Sequence, residues 1–334
     1  MKTDLVYSQK LPPRRQFPAA TVLLYDAILD KQPFFKTWRQ SFAHSWPLVA
    51  GENLKTIASF YSLLKKISTA TIPQSTDLTF LAVGGGSVGD FVGFLASTFL
   101  RGRRFVQIPS TWLAAIDSAH GGKNGLNLAG VKNQVGTIYP AESVYLVKQL
   151  LESQPNERAN DAMGEVLKIA IINTPALLKL ISEKNLYSLL PTLIQAKLKV
   201  VAKDPLEKLG HRRVLNLGHT MGHVFESHFK LPHGQAVKLG ILFSAKWSLH
   251  RKNLKPADYD QICIAAGLNA EATLHSCITK MNSAKILRLL SKDKKLISSS
   301  EIDFIFICKI GKVIRNKVSF SDVLTEVKRQ KQEH

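Results

Sequence analysis

Apolar residues follow two different rhythms along this chain. Between about 20 and 150, short continuous apolar runs alternate with longer periodic ones, which predicts an α/β layer built on parallel strands. TVLLYDAIL reads as a strand ending near Asp26, and the spacing of Leu54, Ile57, Tyr61 and Leu64 predicts a helix through GENLKTIASFYSLLKKI. LTFLAV is a buried strand running into Gly84-Gly85-Gly86-Ser87-Val88-Gly89-Asp90; FVGFLASTFL continues as a helix and RFVQIP returns as a strand. From about 155 the period becomes helical, with apolar faces around 162–172, 191–202, 216–229 and 234–249. EIDFIFICKIGKVIRNKV departs from it, since two alternating runs flank Gly311 and predict a hairpin. Gln154-Pro155-Asn156 marks the boundary between an α/β domain over 1–154 and a mostly helical domain over 155–334.

Composition narrows the class. With 45% hydrophobic residues in 334, the chain can bury a large core in each domain. No run approaches the roughly 18 apolar residues of a membrane span, and MKTDLVYSQKLPPRRQ lacks the apolar centre of a secretory signal, so a cytoplasmic protein is expected. Cys263, Cys277 and Cys308 form no CxxC pair, which suggests neither a disulfide framework nor a thiolate zinc site. Lys and Arg outnumber Asp and Glu by 45 to 25, a formal charge of +20 that attracts anions at long range. There is no zinc-finger spacing, RNP signature or basic run interleaved with aromatics, so nucleic acid is not the expected partner. A small acidic ligand needs only a few of these charges; the rest read as solvated surface.

Four segments carry candidate chemistry. Gly84, Gly86 and Gly89 satisfy G-x-G-x-x-G between a strand and a helix, where backbone N–H groups can face a pyrophosphate. The ribose-binding acid that usually follows about 20 residues later is absent, the region being Pro109-Ser110-Thr111, so a tight structural turn fits the same glycines. LNLGHTMGHVFESHFKLPHGQAV holds His219, His223, His228 and His233. His219 and His223 share a helical face, and His233 follows Pro232 in a turn. Imidazoles converging from a helix and a loop suit a zinc ion that takes about three protein ligands, while partly exposed histidines on an ordinary helix fit equally well. Glu165 and Lys168 lie one turn apart on an apolar helix, either as a distant metal ligand with a neighbouring ammonium or as a plain i, i+3 ion pair. DSAHGGKNGLNLAGVKNQVG is poor helix and poor strand; it reads as a loop, holding Lys and Asn side chains around a phosphate or lying solvated on the surface.

In series, GENLK, GGGSVGD, FLRGRRFVQIPST, the Asp117–Asn133 segment, GEVLK, the Gly210–His223 run and HGQAV resemble the dehydroquinate synthase family of sugar-phosphate cyclases, from about Gly51 to Gly240. The resemblance implies a nucleotide-binding α/β domain followed by a mostly helical metal and substrate domain. It implies Glu165, His219 and His233 as ligands of Zn2+ (or Co2+), with His223 in the reacting centre rather than on the metal. NAD is implied at Glu52, Lys55, Gly86, Ser87, Val88, Gly89, Asp90, Ser110, Thr111, Asp117, Lys123, Lys132 and Ser153, and at Asp26. Catalytic or substrate-binding roles are implied for Lys123, Lys168, Arg212 and Asn216, and for Asp117, Asn133, Lys197 and Lys294 or its neighbour Lys295. Arg101 resembles an arginine that reaches a second subunit's phosphate site, which implies a homodimer. The implied reaction is the shikimate-pathway conversion of 3-deoxy-D-arabino-heptulosonate 7-phosphate to 3-dehydroquinate and phosphate. Its steps are oxidation of a ring hydroxyl by NAD, phosphate elimination, return of the hydride, ring opening and aldol closure.

The chain departs from the family pattern at Asn124, where threonine is usual, at Ser118-Ala119-His120 for SSV, at Gln235 for glutamate, and at Lys208 or Glu207 for an acidic position. Two enzymatic rivals share the cofactors: another cyclase such as an inosose synthase, and an NAD-linked polyol or glycerol-phosphate dehydrogenase that releases NADH. A noncatalytic basic protein on the same fold is the third.

Overall fold

The computed structural model describes residues 3–72, 77–181, 185–291 and 300–333. It divides into two compact units, Met1–Arg158 and Ala159–His334, the division falling inside the first turn of the helix Asn156–Asn173.

The first unit is built on β1 (Asp4–Ser8), β2 (Thr21–Asp26), β3 (His44–Leu48), β4 (Thr79–Gly84) and β5 (Arg104–Pro109), with β6 (Lys123–Leu128), β7 (Val131–Ile138) and β8 (Ser143–Val147) following. Six of these form a sheet in the order β1-β8-β5-β4-β2-β3, every pairing parallel. β4 is buried along its whole length and β2 along all but Asp26, which explains their continuous apolar runs: a parallel strand covered on both faces has no polar side. Leu23, Tyr25, Leu81, Val83, Val106 and Ile108 share one core cluster.

Two expectations fail in this unit. The helix expected from residue 51 begins at Ile57, where the Thr56 hydroxyl accepts from Ser59 N at 3.1 Å. Leu54 therefore lies outside the helix and does not set its face. Ile57 and Tyr61 are exposed; the buried face is Leu63 and Ile67, with Phe60 edge-on to Phe91 and Phe94. The segment read as an irregular loop instead forms the antiparallel hairpin β6–β7. Gly125 pairs with Gly136, and a Cβ on either would lie 2.9 or 2.7 Å from a carbonyl oxygen of the opposite strand. The glycines that weaken the strand signal are what let these strands approach.

In the second unit the helices Asn156–Asn173, Leu186–Val201, His219–Phe229 and His233–His250 match the predicted helical faces, except that Asn216 ends a separate 3-10 turn, His211–Asn216. His233 opens its helix instead of sitting in a loop, with Pro232 at the cap. β9 (Glu301–Lys309) and β10 (Lys312–Ser319) pair around Gly311 as the predicted hairpin, and Phe304 and Phe306 pack on Trp247 with ring centroids 4.7 and 5.0 Å away. No helix among the described residues is long and apolar enough to cross a membrane.

Candidate active site

The helices Asn156–Asn173 and His233–His250 touch backbone to backbone. A Cβ on Gly164 would lie 1.9 Å from the Gly234 carbonyl oxygen, and one on Gly234 would lie 1.5 Å from that of Asp161. Only glycine permits this approach, and it brings the neighbouring Glu165 and His233 together. Asp161 Oδ1 fastens the junction by accepting from Gly234 N at 2.7 Å and Gln235 N at 3.3 Å, satisfying N–H groups at the start of the second helix. The helix His219–Phe229 follows Gly218, whose φ of 78° suits glycine and whose Cβ would meet Ile241 and Val237 within 2.7 Å.

Three donor groups converge there. His219 Nε2 and His233 Nε2 lie 3.4 and 3.6 Å from Glu165 Oε1, and all three atoms fall within 4.8 Å of one another. Glu165 is 1% exposed, yet Oε1 accepts no hydrogen bond, an expensive state for a buried carboxylate oxygen. Two ligand atoms held tetrahedrally at about 2.0–2.2 Å from one Zn2+ are roughly 3.3–3.6 Å apart, so the observed spacings fit a shared ion. Tautomers agree. His219 Nδ1 lies 3.2 Å from Leu217 O and His233 Nδ1 2.9 Å from Glu226 Oε2, acceptors that hold a proton on Nδ1 and leave Nε2 as the atom facing Glu165. Burial opposes charge on His233, but Glu165 and Glu226 outweigh it and push the imidazole up to about 10, so a proton occupies Nε2 when no ion does, and a metal would bind there by displacing it. Lys168 places its ammonium against Glu165 Oε2 on the side away from the histidines' contact atom.

His223 lies beside this cluster, exposed, with its ring 5.5 Å from that of His219 and 6.3 Å from that of His233. The buried cations among the described residues are Lys55, Lys168, Lys197 and Arg212, each of which the sequence had already singled out. Two of them face a carboxylate of the chain itself, Lys55 that of Asp90 and Lys168 that of Glu165, as a buried ammonium requires. Arg212 donates to Pro205 O at 3.1 Å within a loop that buried Asp204 organises by accepting from Leu209 N and His211 N, both at 3.1 Å. Those backbone bonds hold the Asp204 carboxyl below its usual range even though burial alone would raise it. Lys294 and Lys295 lie outside the described residues.

In the first unit the helix Gly86–Thr98 begins within the glycine run, so its N-terminal N–H groups are presented by Gly86, Ser87 and Val88. Gly84 and Gly86 have packing reasons of their own, a Cβ there meeting Val88 at 2.6 Å and Ser118 Oγ at 3.0 Å. Lys55 Nζ donates to Asp90 Oδ2 at 2.6 Å and also to Asn133 Oδ1, tying the helix to β7. Burial raises the Asp90 carboxyl against the pull of Lys55. Glu52 accepts from Asn127 Nδ2 at 2.8 Å and stands 3.6 Å from Lys132. Ser110 is buried and donates its N–H to Gly84 O, Thr111 Oγ1 accepts from Ala114 N, and Asp117 sits half-buried in a π-helical turn. Lys123 is exposed on β6 and Arg101 is exposed in a left-handed conformation, φ 67°. Ser153 donates to Leu150 O and Asp26 caps Ile28, so neither hydroxyl nor carboxylate bonds to the glycine run.

Residues 45–161 match the model of the 3-dehydroquinate synthase N-terminal domain and residues 162–296 that of the C-terminal domain. The chain belongs to the 3-dehydroquinate synthase family. A 3-dehydroquinate synthase of Chlamydia muridarum is 34% identical over 283 residues, covering 78% of this chain and 74% of the relative. One from Endomicrobium trichonymphae is 34% identical over 84% and 79% of the two chains. A solved 2-deoxy-scyllo-inosose synthase, complexed with carbaglucose-6-phosphate, NAD+ and Co2+, shares the fold at a TM-score of 0.80 and 20% identity, covering 97% of this chain and 96% of its own.

Within this family membership the departures acquire structure. Asn124 is buried and donates to Gly122 O and Tyr139 O at 3.0 and 2.8 Å, closing the base of β6–β7. Gly93 leaves its room, since a Cβ there would stand 2.0 Å from Asn124 Oδ1. His120 is buried with Nε2 2.8 Å from Ala115 O. Asp161, Asp204 and Glu226 were not identified as site residues from sequence. For Glu226 a signal existed: His219, His223 and Glu226 stand at i, i+4 and i+7, one face of one helix.

Proposed function

We propose that this chain is a 3-dehydroquinate synthase, converting 3-deoxy-D-arabino-heptulosonate 7-phosphate to 3-dehydroquinate and phosphate. The observation that carries the reading is the Glu165–His219–His233 cluster, its spacing suited to one divalent ion, in a family whose relatives at 34% identity bear that name. When bound, Zn2+ supplies Lewis-acid polarisation of a substrate oxygen and NAD supplies a reversible hydride acceptor. Glu165, His219 and His233 hold the metal, and the Gly86–Asp90 helix start with Lys55 holds the dinucleotide.

The chain's own groups then divide the remaining work. His223 moves a proton at its imidazole in this reading, which its exposed position beside the cluster supports. Lys168, Lys197 and Arg212 provide buried positive charge for the substrate's carboxylate and phosphate, Arg212 with the planar fork that suits either anion. Lys123, Lys132 and Asn133 sit on the β6–β7 hairpin, whose register the Asn124 bonds maintain. Exposed Arg101, next to Leu100 in a second left-handed conformation, supports a role towards a second copy, so a homodimer is part of the proposal.

The test is to incubate the purified protein with the heptulosonate phosphate, NAD and Zn2+ while measuring phosphate and carbocycle together. Equal release of both without net NADH is expected. NADH accumulating with substrate consumption would instead mark a dehydrogenase, and closure of a hexose phosphate in a parallel incubation, with the heptulosonate left unchanged, would mark an inosose-forming cyclase.

A further inference from the structure

We infer that Glu226 is a positioning residue of the metal centre, acting through His233 and not on the ion itself. The inference rests on the metal reading above. Glu226 Oε2 lies 2.9 Å from His233 Nδ1, while the opposite ring nitrogen faces Glu165 Oε1 at 3.6 Å, so one carboxylate lies on each side of the ring. A carboxylate can only accept here; it holds a proton on Nδ1 and turns Nε2 towards the cluster.

Glu226 stands two turns along from His219 on the helix His219–Phe229, so the element that carries one ligand also braces the other. The two imidazoles are held differently. His219 Nδ1 faces a neutral backbone carbonyl, Leu217 O at 3.2 Å, from its own chain segment, whereas His233 depends on a side chain from another helix. The backbone of His233 is already fixed by the Gly164–Gly234 contact and the Asp161 bonds to Gly234 N and Gln235 N. Its remaining freedom is rotation of the ring, which the Glu226 bond removes. A ligand whose ring must be oriented upon binding gives a weaker site, and loss of such a partner ordinarily weakens metal affinity by about 10–100-fold.

The experiment measures Zn2+ dissociation constants by chelator competition, and the d–d spectrum of the Co2+-loaded protein, for the full chain and for Glu226→Gln, Glu226→Ala and Glu165→Ala. Glu226→Gln keeps an acceptor oxygen and the side-chain volume, so it should bind Zn2+ about 10-fold more weakly, with Glu226→Ala nearer 100-fold. The Co2+ bands should shift in both, which a residue serving only stability would not cause. If Glu226→Ala does not fold, Glu226→Gln decides. Wild-type dissociation constants and an unchanged Co2+ spectrum in the Glu226 variants, with metal lost from Glu165→Ala, would overturn the inference and leave the metal reading standing. Full metal retention in Glu165→Ala would overturn both.

Discussion

Gly164→Ala is a one-methyl change that should disable the metal centre while leaving the protein folded. Alanine is the better helix former by about 1 kcal/mol, so the helix Asn156–Asn173 gains slightly in isolation. The opposing effect is steric: the new Cβ would lie 1.9 Å from the Gly234 carbonyl oxygen, whereas real Cβ contacts essentially never fall under 3.0 Å. The obstacle is backbone rather than a side-chain tip, so the two helices must part by about 1 Å. Overpacking of this kind costs roughly 1–3 kcal/mol, and after the gain in propensity the net loss is about 2 kcal/mol at most.

The candidate metal centre is far less tolerant. Glu165 and His233 adjoin the two glycines, and metal–ligand distances must hold within about 0.2 Å. A separation of about 1 Å therefore detaches one ligand from an ion that keeps the other two. Zn2+ affinity should fall on the order of 100-fold or more, and kcat/KM with it at limiting metal. Chelator competition gives the first quantity, steady-state phosphate release the second, and thermal unfolding of the metal-free protein separates both from stability, with a drop of only several degrees expected. Gly234→Ala, whose Cβ would lie 1.5 Å from Asp161 O, should behave alike. A Gly164→Ala protein that binds Zn2+ with the parent dissociation constant would refute the reasoning.

Glu165→Ala should bring zinc content after dialysis to background and abolish turnover, measured by metal analysis and phosphate release. Arg212→Lys keeps the charge but loses the planar fork; kcat/KM should fall at least about 10-fold, and an unchanged value would remove the bidentate role. NAD should act in trace amounts over many turnovers: no absorbance should build at 340 nm, and deuterium at the oxidised carbon should slow the reaction yet remain in the product.

The sequence revealed different parts of this molecule to different degrees, for identifiable reasons. β2, β4 and β5 were legible because strands largely covered on both faces read as near-continuous apolar runs, and the β9–β10 hairpin because alternation around Gly311 has no helical reading. β1, β3 and β8 are short, and His44–Leu48 even contains Pro47, which periodicity scores against. The β6–β7 hairpin was misread because Gly125 and Gly136 lower strand propensity residue by residue while enabling the pair jointly. Propensity is a property of one position; the reason for these glycines lies on the opposite strand.

The same limit explains the site. Spacing put His219 and His223 on one face but could not choose between a metal and an ordinary surface, and the family resemblance was needed to name Glu165 and His233. What unites them is the approach of Gly164 to Gly234, a contact between backbones more than sixty residues apart. Side-chain periodicity carries no trace of it, since a helix with glycine at that position has the same apolar face as one with alanine. The partners that hold the donors in place, Asp161 on the His233 helix start and Glu226 on the ring, are polar residues on otherwise regular helices. Read singly, each is a solvated charge. Their role appears only when the two N–H groups and the Nδ1 they accept from are seen to belong to the same ligand-bearing turn, which is why the arrangement holding the candidate metal centre is less legible than the donors themselves.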